Sequence, residues 1–286
     1  VSKEKQHFMN QAFRFAPFIL FSLAVCGCTT NNISIENKYA SLFEKQEGQG
    51  CFGLFDNGQG QFTIYNLKRY RDSAYAPGAT FQIFHALVGL SSGSVFSDTV
   101  LLPWDGRMRL GPGGDTMAAW NKDMNLKEAF AANNAGFFQQ LAHRIGRDTL
   151  QKMLDSIGYG NKNMGAAIDS FWFNNSLKIS ADEQLGFVKK LYFRQLPFQN
   201  REQDMVKNAL IREKTDKYTL AYSTGWSRPS AGASLSWVVG WIEENQHPYF
   251  FVLNMETTHS NLRPDSTALS IVREILAERG FFKGMK

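Results

Sequence analysis

Cysteine and histidine are scarce in this chain of 286 residues, which has three of the first and five of the second. Cys26, Cys28 and Cys51 provide no framework of internal disulfides to staple a fold. The histidines (His7, His85, His143, His247, His259) form no His-x-x-x-His pair, and no carboxylate cluster completes a metal site. No metal or cofactor is therefore expected. Clustered charge of one sign is missing as well. The formal net charge is +5, and its Lys and Arg residues are scattered, which describes a solvated surface and argues against a nucleic-acid partner. The run Gly111-Pro112-Gly113-Gly114 is followed by no Gly-Lys-Ser/Thr, so it reads as a surface loop and not as a phosphate cradle. Low-complexity stretches and internal repeats are also absent.

Long apolar runs are lacking too. Phe15 to Val25, preceded by Lys3, Lys5 and Arg14, is too short for a stable span of the bilayer. It ends in Val25-Cys26-Gly27-Cys28, which resembles a bacterial lipoprotein signal. Residues 1–28 are expected to form that signal, ending at the lipidated Cys28. Cys26 would be removed, leaving Cys51 without a partner. An ordinary cleaved signal peptide and a retained membrane helix are the alternatives. Residues 29–38 are polar and read as a tether. Thr29, where an aspartate often favours inner-membrane retention, points to the outer membrane, with the protein facing the periplasm.

Aromatic residues, by contrast, are abundant, at 14% of the chain. Gly50 to Phe55 and Gln61 to Tyr65 are strand-like runs joined by Asn57-Gly58-Gln59-Gly60, a hairpin signal. Residues 80–215 are mainly helical in pattern, with Leu126 to Arg147 and Ser180 to Tyr192 the clearest helices. Tyr218 to Thr224, Leu235 to Glu243 and Tyr249 to Glu256 read as strands. Asp265 and Ser266 are candidate caps of a final helix whose inner face carries Leu269, Val272, Ile275 and Leu276, and Gly280 ends it. Strands at both ends with helices between them predict an α+β fold.

One stretch organises the rest. Ala76-Pro77-Gly78 breaks an extended run, and Phe81, Phe84, Leu87 and Leu90 then recur at helical spacing. Ala79 and Gln82 lie one turn apart on one face at the start of that helix. Around it stand Asn66-Leu67-Lys68-Arg69, Trp104-Asp105-Gly106, Trp120-Asn121-Lys122-Asp123 and Phe138-Gln139-Gln140-Leu141-Ala142 with Arg144-Ile145-Gly146. Tyr159-Gly160-Asn161, Phe171-Trp172-Phe173, Leu177-Lys178-Ile179-Ser180, Ser223-Thr224-Gly225 and Trp237-Val238-Val239-Gly240-Trp241 follow. In this order the segments resemble the class D β-lactamases (oxacillinases) from about Tyr39 to Arg279.

That resemblance implies an antiparallel sheet flanked by helices, with a helical lobe beside it and a groove between. Within a domain at residues 39–286, the sheet lobe is expected at 39–75 and 216–286 and the helical lobe at 76–215. The family's Ser-x-x-Lys pair, nucleophile and carboxylated base, falls on Ala79 and Gln82. Its Ser-x-Val element falls on Asn133-Asn134-Ala135, and its Lys-Thr-Gly strand on Ser223-Thr224-Gly225. The arginine that holds the substrate carboxylate aligns near Ala268, with Arg263 close by. Trp172 matches the tryptophan that shields the modified lysine; here it is expected to pack against Gln82 and the lobe. The implied groove thus comprises Ala79, Thr80, Gln82, Asn133, Ala135, Trp172, Ser223, Thr224 and Gly225.

Acyl transfer needs a nucleophile, a base and oxyanion donors. Alanine has no attacking heteroatom and the glutamine amide is not basic near neutral pH, so no intact catalytic residue is expected. Thr80 points to another face from Ala79 and is a poor substitute. Three readings follow: a lipid-anchored, non-hydrolytic protein that binds a β-lactam-like or peptidoglycan-derived ligand; an active β-lactamase or penicillin-binding enzyme with an unrecognised nucleophile; and a structural envelope lipoprotein that meets a protein partner. Nothing in the sequence sets an oligomeric state.

Overall fold

A computed structural model describes residues 32–108, 118–230, 233–258 and 264–286. Cys28, the Gly111–Gly114 run, His259 and Arg263 lie outside the described residues. The strands are β1 (Ile33–Ile35), β2 (Gly48–Asp56), β3 (Gln61–Tyr65), β4 (Ala74–Tyr75), β5 (Ile179–Ser180), β6 (Ile211–Lys214), β7 (Thr219–Ser230), β8 (Ala233–Glu244) and β9 (His247–Thr257). The α-helices are α1 (Ala40–Glu44), α2 (Leu67–Asp72), α3 (Gln82–Ser91), α4 (Leu126–Ala131), α5 (Ala135–Ile145), α6 (Arg147–Ile157), α7 (Ala181–Tyr192), α8 (Asn200–Ala209) and α9 (Pro264–Glu278).

The sheet runs β1-β3-β2-β9-β8-β7-β6 and is antiparallel except where β1 pairs parallel with β3. Its first hairpin turns where the sequence predicts, because Asp56 Oδ1 accepts from Gly58 N at 2.9 Å and Gln59 N at 3.0 Å. Strands β2, β8 and β9 are apolar on both faces, since helices cover both. Trp237, Val239, Trp241, Phe250 and Val252 face the larger core shared with the helical lobe. The alternating residues Val238, Ile242, Phe251, Leu253 and Met255 face α9, along with its Ile271, Val272 and Ile275. The expected α+β architecture is the one observed.

Several boundaries differ from the sequence reading. Ile33–Ile35, expected within the polar tether, forms β1 because its backbone finds a ladder on β3. The sheet resumes at Ile211, before the expected 216. Leu126 to Arg147 is not one helix: α4 stops at Ala131, Asn133 takes a left-handed φ of 49°, and Asn134 caps α5 by accepting from Phe137 N at 3.1 Å. Two consecutive asparagines favour that break, since their side chains satisfy backbone groups outside a helix. α9 begins at Pro264, so Asp265 and Ser266 belong to its first turn and not to its cap. α7 matches its prediction closely, with Ser180 and Glu183 forming a reciprocal capping box.

Candidate functional site

The groove is built where the chain enters α3. Trp237 Nε1 donates to Ala76 O at 2.8 Å, which pins the entry to the sheet. Gly78 has φ of +57°, and its N donates to Trp172 O at 2.9 Å. A Cβ at Gly78 would also lie 3.0 Å from Trp226 O, so glycine is required twice over. Residues Gly78–Phe81 then make a single 3-10 turn that leads into α3. Strand β7 lies directly against this turn. A Cβ at Gly225 would stand 2.6 Å from Thr80 N and 2.8 Å from Ala79 N. The sheet and the first turn of the helix thus meet backbone to backbone at Ala79 and Gly225.

Around Ala79, which is 5% exposed, the polar groups are paired with one another. Gln82, at 1% exposure, donates from Nε2 to Asn133 Oδ1 at 3.0 Å. The α4–α5 break makes this contact possible: a continuous helix would not present Asn133 in a left-handed turn. Thr80 donates its hydroxyl to Pro77 O at 2.7 Å and accepts from Gln184 Nε2 at 2.9 Å. Tyr159 donates in turn to Gln184 Oε1 at 3.4 Å. The proton of Thr80 is therefore committed to a carbonyl, and no base adjoins it among these contacts. Ala135 opens α5 and is partly exposed.

Trp172 is buried, and its ring stacks on Phe81 with centroids 5.8 Å apart and meets His85 edge-on at 4.4 Å. Phe171 and Phe173 also meet its ring, at 4.9 and 5.4 Å, so Trp172 packs into the aromatic core of the helical lobe on both sides of Gln82 in the chain. His85 is fully buried in this aromatic cage, with both ring nitrogens unpaired among the described residues. Burial alone pushes its imidazole down to about 3. It is a packed, neutral histidine that makes no side-chain hydrogen bond among the described residues.

On the sheet side, Ser223 is 2% exposed, and Thr224 Oγ1 stands 3.5 Å from Asp265 Oδ2 at the start of α9. Ala268, near which the family's carboxylate-binding arginine aligns, is 0% exposed in the core under the sheet. Three residues were missed by sequence reasoning. Gln184 fixes Thr80 from 104 residues away, Asp265 approaches Thr224, and Arg212 of β6 reaches the turn before Asn133. No local spacing announced them. Among the described residues, no group of three or more His, Cys, Asp or Glu is placed to hold a metal.

Comparison with known proteins assigns the class. The model of the penicillin-binding protein transpeptidase domain matches residues 42–277. β-Lactamase OXA-5 of Pseudomonas aeruginosa is 31% identical over 271 residues, covering 94% of this chain and 98% of the relative. Among solved structures, the class D β-lactamase FUS-1 (OXA-85) of Fusobacterium nucleatum superposes with a TM-score of 0.79 at 31% identity, covering 87% of this chain and all of that one (100%). The C-terminal domain of the Bacillus licheniformis BlaR penicillin-receptor does so with a TM-score of 0.80 at 30% identity, covering 87% and 97%. The chain belongs to the penicillin-binding protein transpeptidase family, on its class D β-lactamase branch.

Proposed function

We propose that this protein is a non-hydrolytic member of the class D β-lactamase family that binds a β-lactam-like or peptidoglycan-derived ligand in the groove between its lobes. One observation carries the reading: beside Ala79, Gln82 is hydrogen-bonded to Asn133, and the family resemblance assigns positions 79 and 82 to the nucleophile and base of acyl transfer. Neither amide is a base near neutral pH, and one hydrogen bond ties the two together. The family fold serves binding as well as hydrolysis, since one of the similar structures is described as a penicillin-receptor domain.

The test is intact mass after incubation of the purified protein with excess benzylpenicillin, beside a thermal-shift titration. The expected result is saturable stabilisation with no covalent adduct. A stoichiometric mass increase mapping to α3 or its entry turn would reject the reading, and steady hydrolysis of a chromogenic cephalosporin would favour an enzyme with another nucleophile. Absence of binding, with an envelope protein recovered by cross-linking, would favour the structural lipoprotein.

The reading includes a lipid anchor on Cys28, facing the periplasm from the outer membrane. It rests on the Gly27-Cys28 pair after an apolar run. Metabolic palmitate labelling should mark the wild type and fail on Cys28→Ala; equal labelling of both rejects the site.

A further inference from the structure

The β2–β3 turn holds the only Asn-Gly pair in the chain, Asn57-Gly58. It lies outside the groove. Asp56, Tyr249, Ile242 and Leu220 share one row of the sheet, five residues along their strands from the row of Cys51, Asn254, Trp237 and Gly225. That separation is about 17 Å at the rise of a strand. Asn57 is partly exposed, and its side chain has no hydrogen-bond partner among the described residues. An asparagine before glycine can close on itself, because the nitrogen of a residue without a Cβ reaches the side-chain carbonyl carbon unhindered.

His247, the first residue of β9, faces that nitrogen. Gly58 N donates to His247 Nε2 at 3.1 Å, and the same Nε2 stands 2.9 Å from Asp56 Oδ1. Gly58 N also donates to Asp56 Oδ1 at 2.9 Å. The ring lies so close over Gly58 that a Cβ there would overlap it. Nε2 cannot serve both neighbours in one protonation state. The protonated ring donates to Asp56; the neutral ring with its proton on Nδ1 accepts from Gly58 N. In the second state a base lies along the N–H bond, within the reach that general-base catalysis requires. The lone pair that attacks a carbonyl stands perpendicular to the peptide plane, so base and target do not compete for one direction. The other recorded neighbour of the ring is Tyr249, at 4.6 Å between centroids.

We propose that Asn57 is a self-modification site at which His247 acts as the base for deamidation. Gly58 N gives its proton to His247 Nε2 and forms a bond to Asn57 Cγ. The Cγ–Nδ2 bond then breaks, and the imidazolium passes the proton to the departing nitrogen, which leaves as ammonia. Water opens the cyclic imide at either carbonyl, giving aspartate or isoaspartate at position 57. No electrons are exchanged, and water is the only co-reactant. Either product puts a second carboxylate beside Asp56. The site stands independently of the ligand-binding reading of the groove.

The experiment incubates the purified full chain near neutral pH and follows the peptide carrying residue 57 by mass spectrometry, with isoaspartate counted by enzymatic methyl transfer. Wild type is run folded and in guanidinium chloride. Beside it run His247→Phe, which keeps a ring over Gly58, and His247→Gln, which keeps an acceptor without a base. The expected result is conversion in the folded wild type that is faster than in the unfolded chain and slowed by about tenfold or more in both variants. A folded wild type that converts no faster than the unfolded chain overturns the proposal, because the two hydrogen bonds at Gly58 N would then guard the turn. Equal or faster conversion in folded His247→Phe overturns it as well, and leaves Asp56 as the acceptor at that nitrogen. Equal conversion in His247→Gln overturns the base, since hydrogen bonding alone would suffice. Should either variant fail to fold, the comparison of folded and unfolded wild type decides.

Discussion

At the scale of single residues, the site is defined by what sits too close to allow anything else. Gly225 faces the amides of Thr80 and Ala79 with no room for a methyl group, and both neighbours are backbone that cannot rotate away. Gly225→Ala should therefore destabilise the protein by about 1–3 kcal/mol through overpacking of the lobe junction. Gly186, inside α7, is the internal control: a Cβ there meets nothing within 4 Å. Gly186→Ala should stabilise by about 0.5–1 kcal/mol, because alanine loses less backbone entropy in a helix. Chemical denaturation of the two variants checks the pair, and equal effects would refute the close approach of β7 to the entry turn. Gln82 and Asn133 make the complementary point about polar groups. Each is the other's partner, so a buried amide at the base position costs little until its mate is removed.

At the scale of elements, the question is whether the turn, the helix break and the strand still hold the family's geometry. Residues 79 and 82 sit at the join of the 3-10 turn and α3, Asn133 sits in the α4–α5 break, and Ser223 lies on β7, the strand whose Gly225 abuts the turn. Their positions come from backbone contacts, which substitutions of the side chains leave in place. Ala79→Ser with Gln82→Lys, Asn133→Ser and Ser223→Lys should then recover penicillin acylation, read by intact mass. Bicarbonate should raise turnover if the new lysine is carboxylated, as the family resemblance implies. Ala79→Ser alone should do little, because a hydroxyl without a base is a weak nucleophile. A folded fourfold variant that neither acylates nor binds penicillin would mean that the groove has been remodelled.

At the scale of the whole molecule, the helical lobe is held on the sheet by an aromatic core with a histidine inside it. His85 has a folded-state value of about 3, below the ordinary 6.5, because burial penalises its charged form. Between those values the unfolded chain takes up a proton that the folded chain excludes. Stability is therefore complete above pH 6.5 and falls as pH drops below it, by up to ~1.4 kcal/mol per unit. Burial opposes ionisation of Asp56 and Glu213, yet hydrogen bonds and neighbouring cations hold both below the usual carboxylate range. Their contribution is lost only as pH falls through and below about 4. Within the window from 6.5 to 4.5, the contribution of His85 is read as the difference between the wild type and a variant without the imidazole. Denaturation curves across it should slope for the wild type and flatten for His85→Leu; parallel slopes would place a partner or water on the imidazole.

Much of this architecture was legible in the chain, for reasons that are local. The Asp56–Gly60 hairpin, the Ser180 capping box and the apolar runs of β8 and β9 each encode their geometry within a few neighbouring residues. The positions of Ala79, Gln82 and Ser223 followed from ordered motifs, and the chemistry absent from alanine and glutamine is a property of the side chains themselves. Tertiary structure decided what depends on distance across the fold. Asn133 turned inward because the helix broke at two asparagines and Gln82 offered a partner 51 residues away. The Thr80 hydroxyl gained its second partner because Gln184 arrived from α7. Arg212 of β6 reaches Phe130 O across 82 residues of chain, a meeting that no periodicity in the sequence records. Local patterns specify which elements form and which atoms they carry; packing of those elements fixes which polar atoms are left to meet.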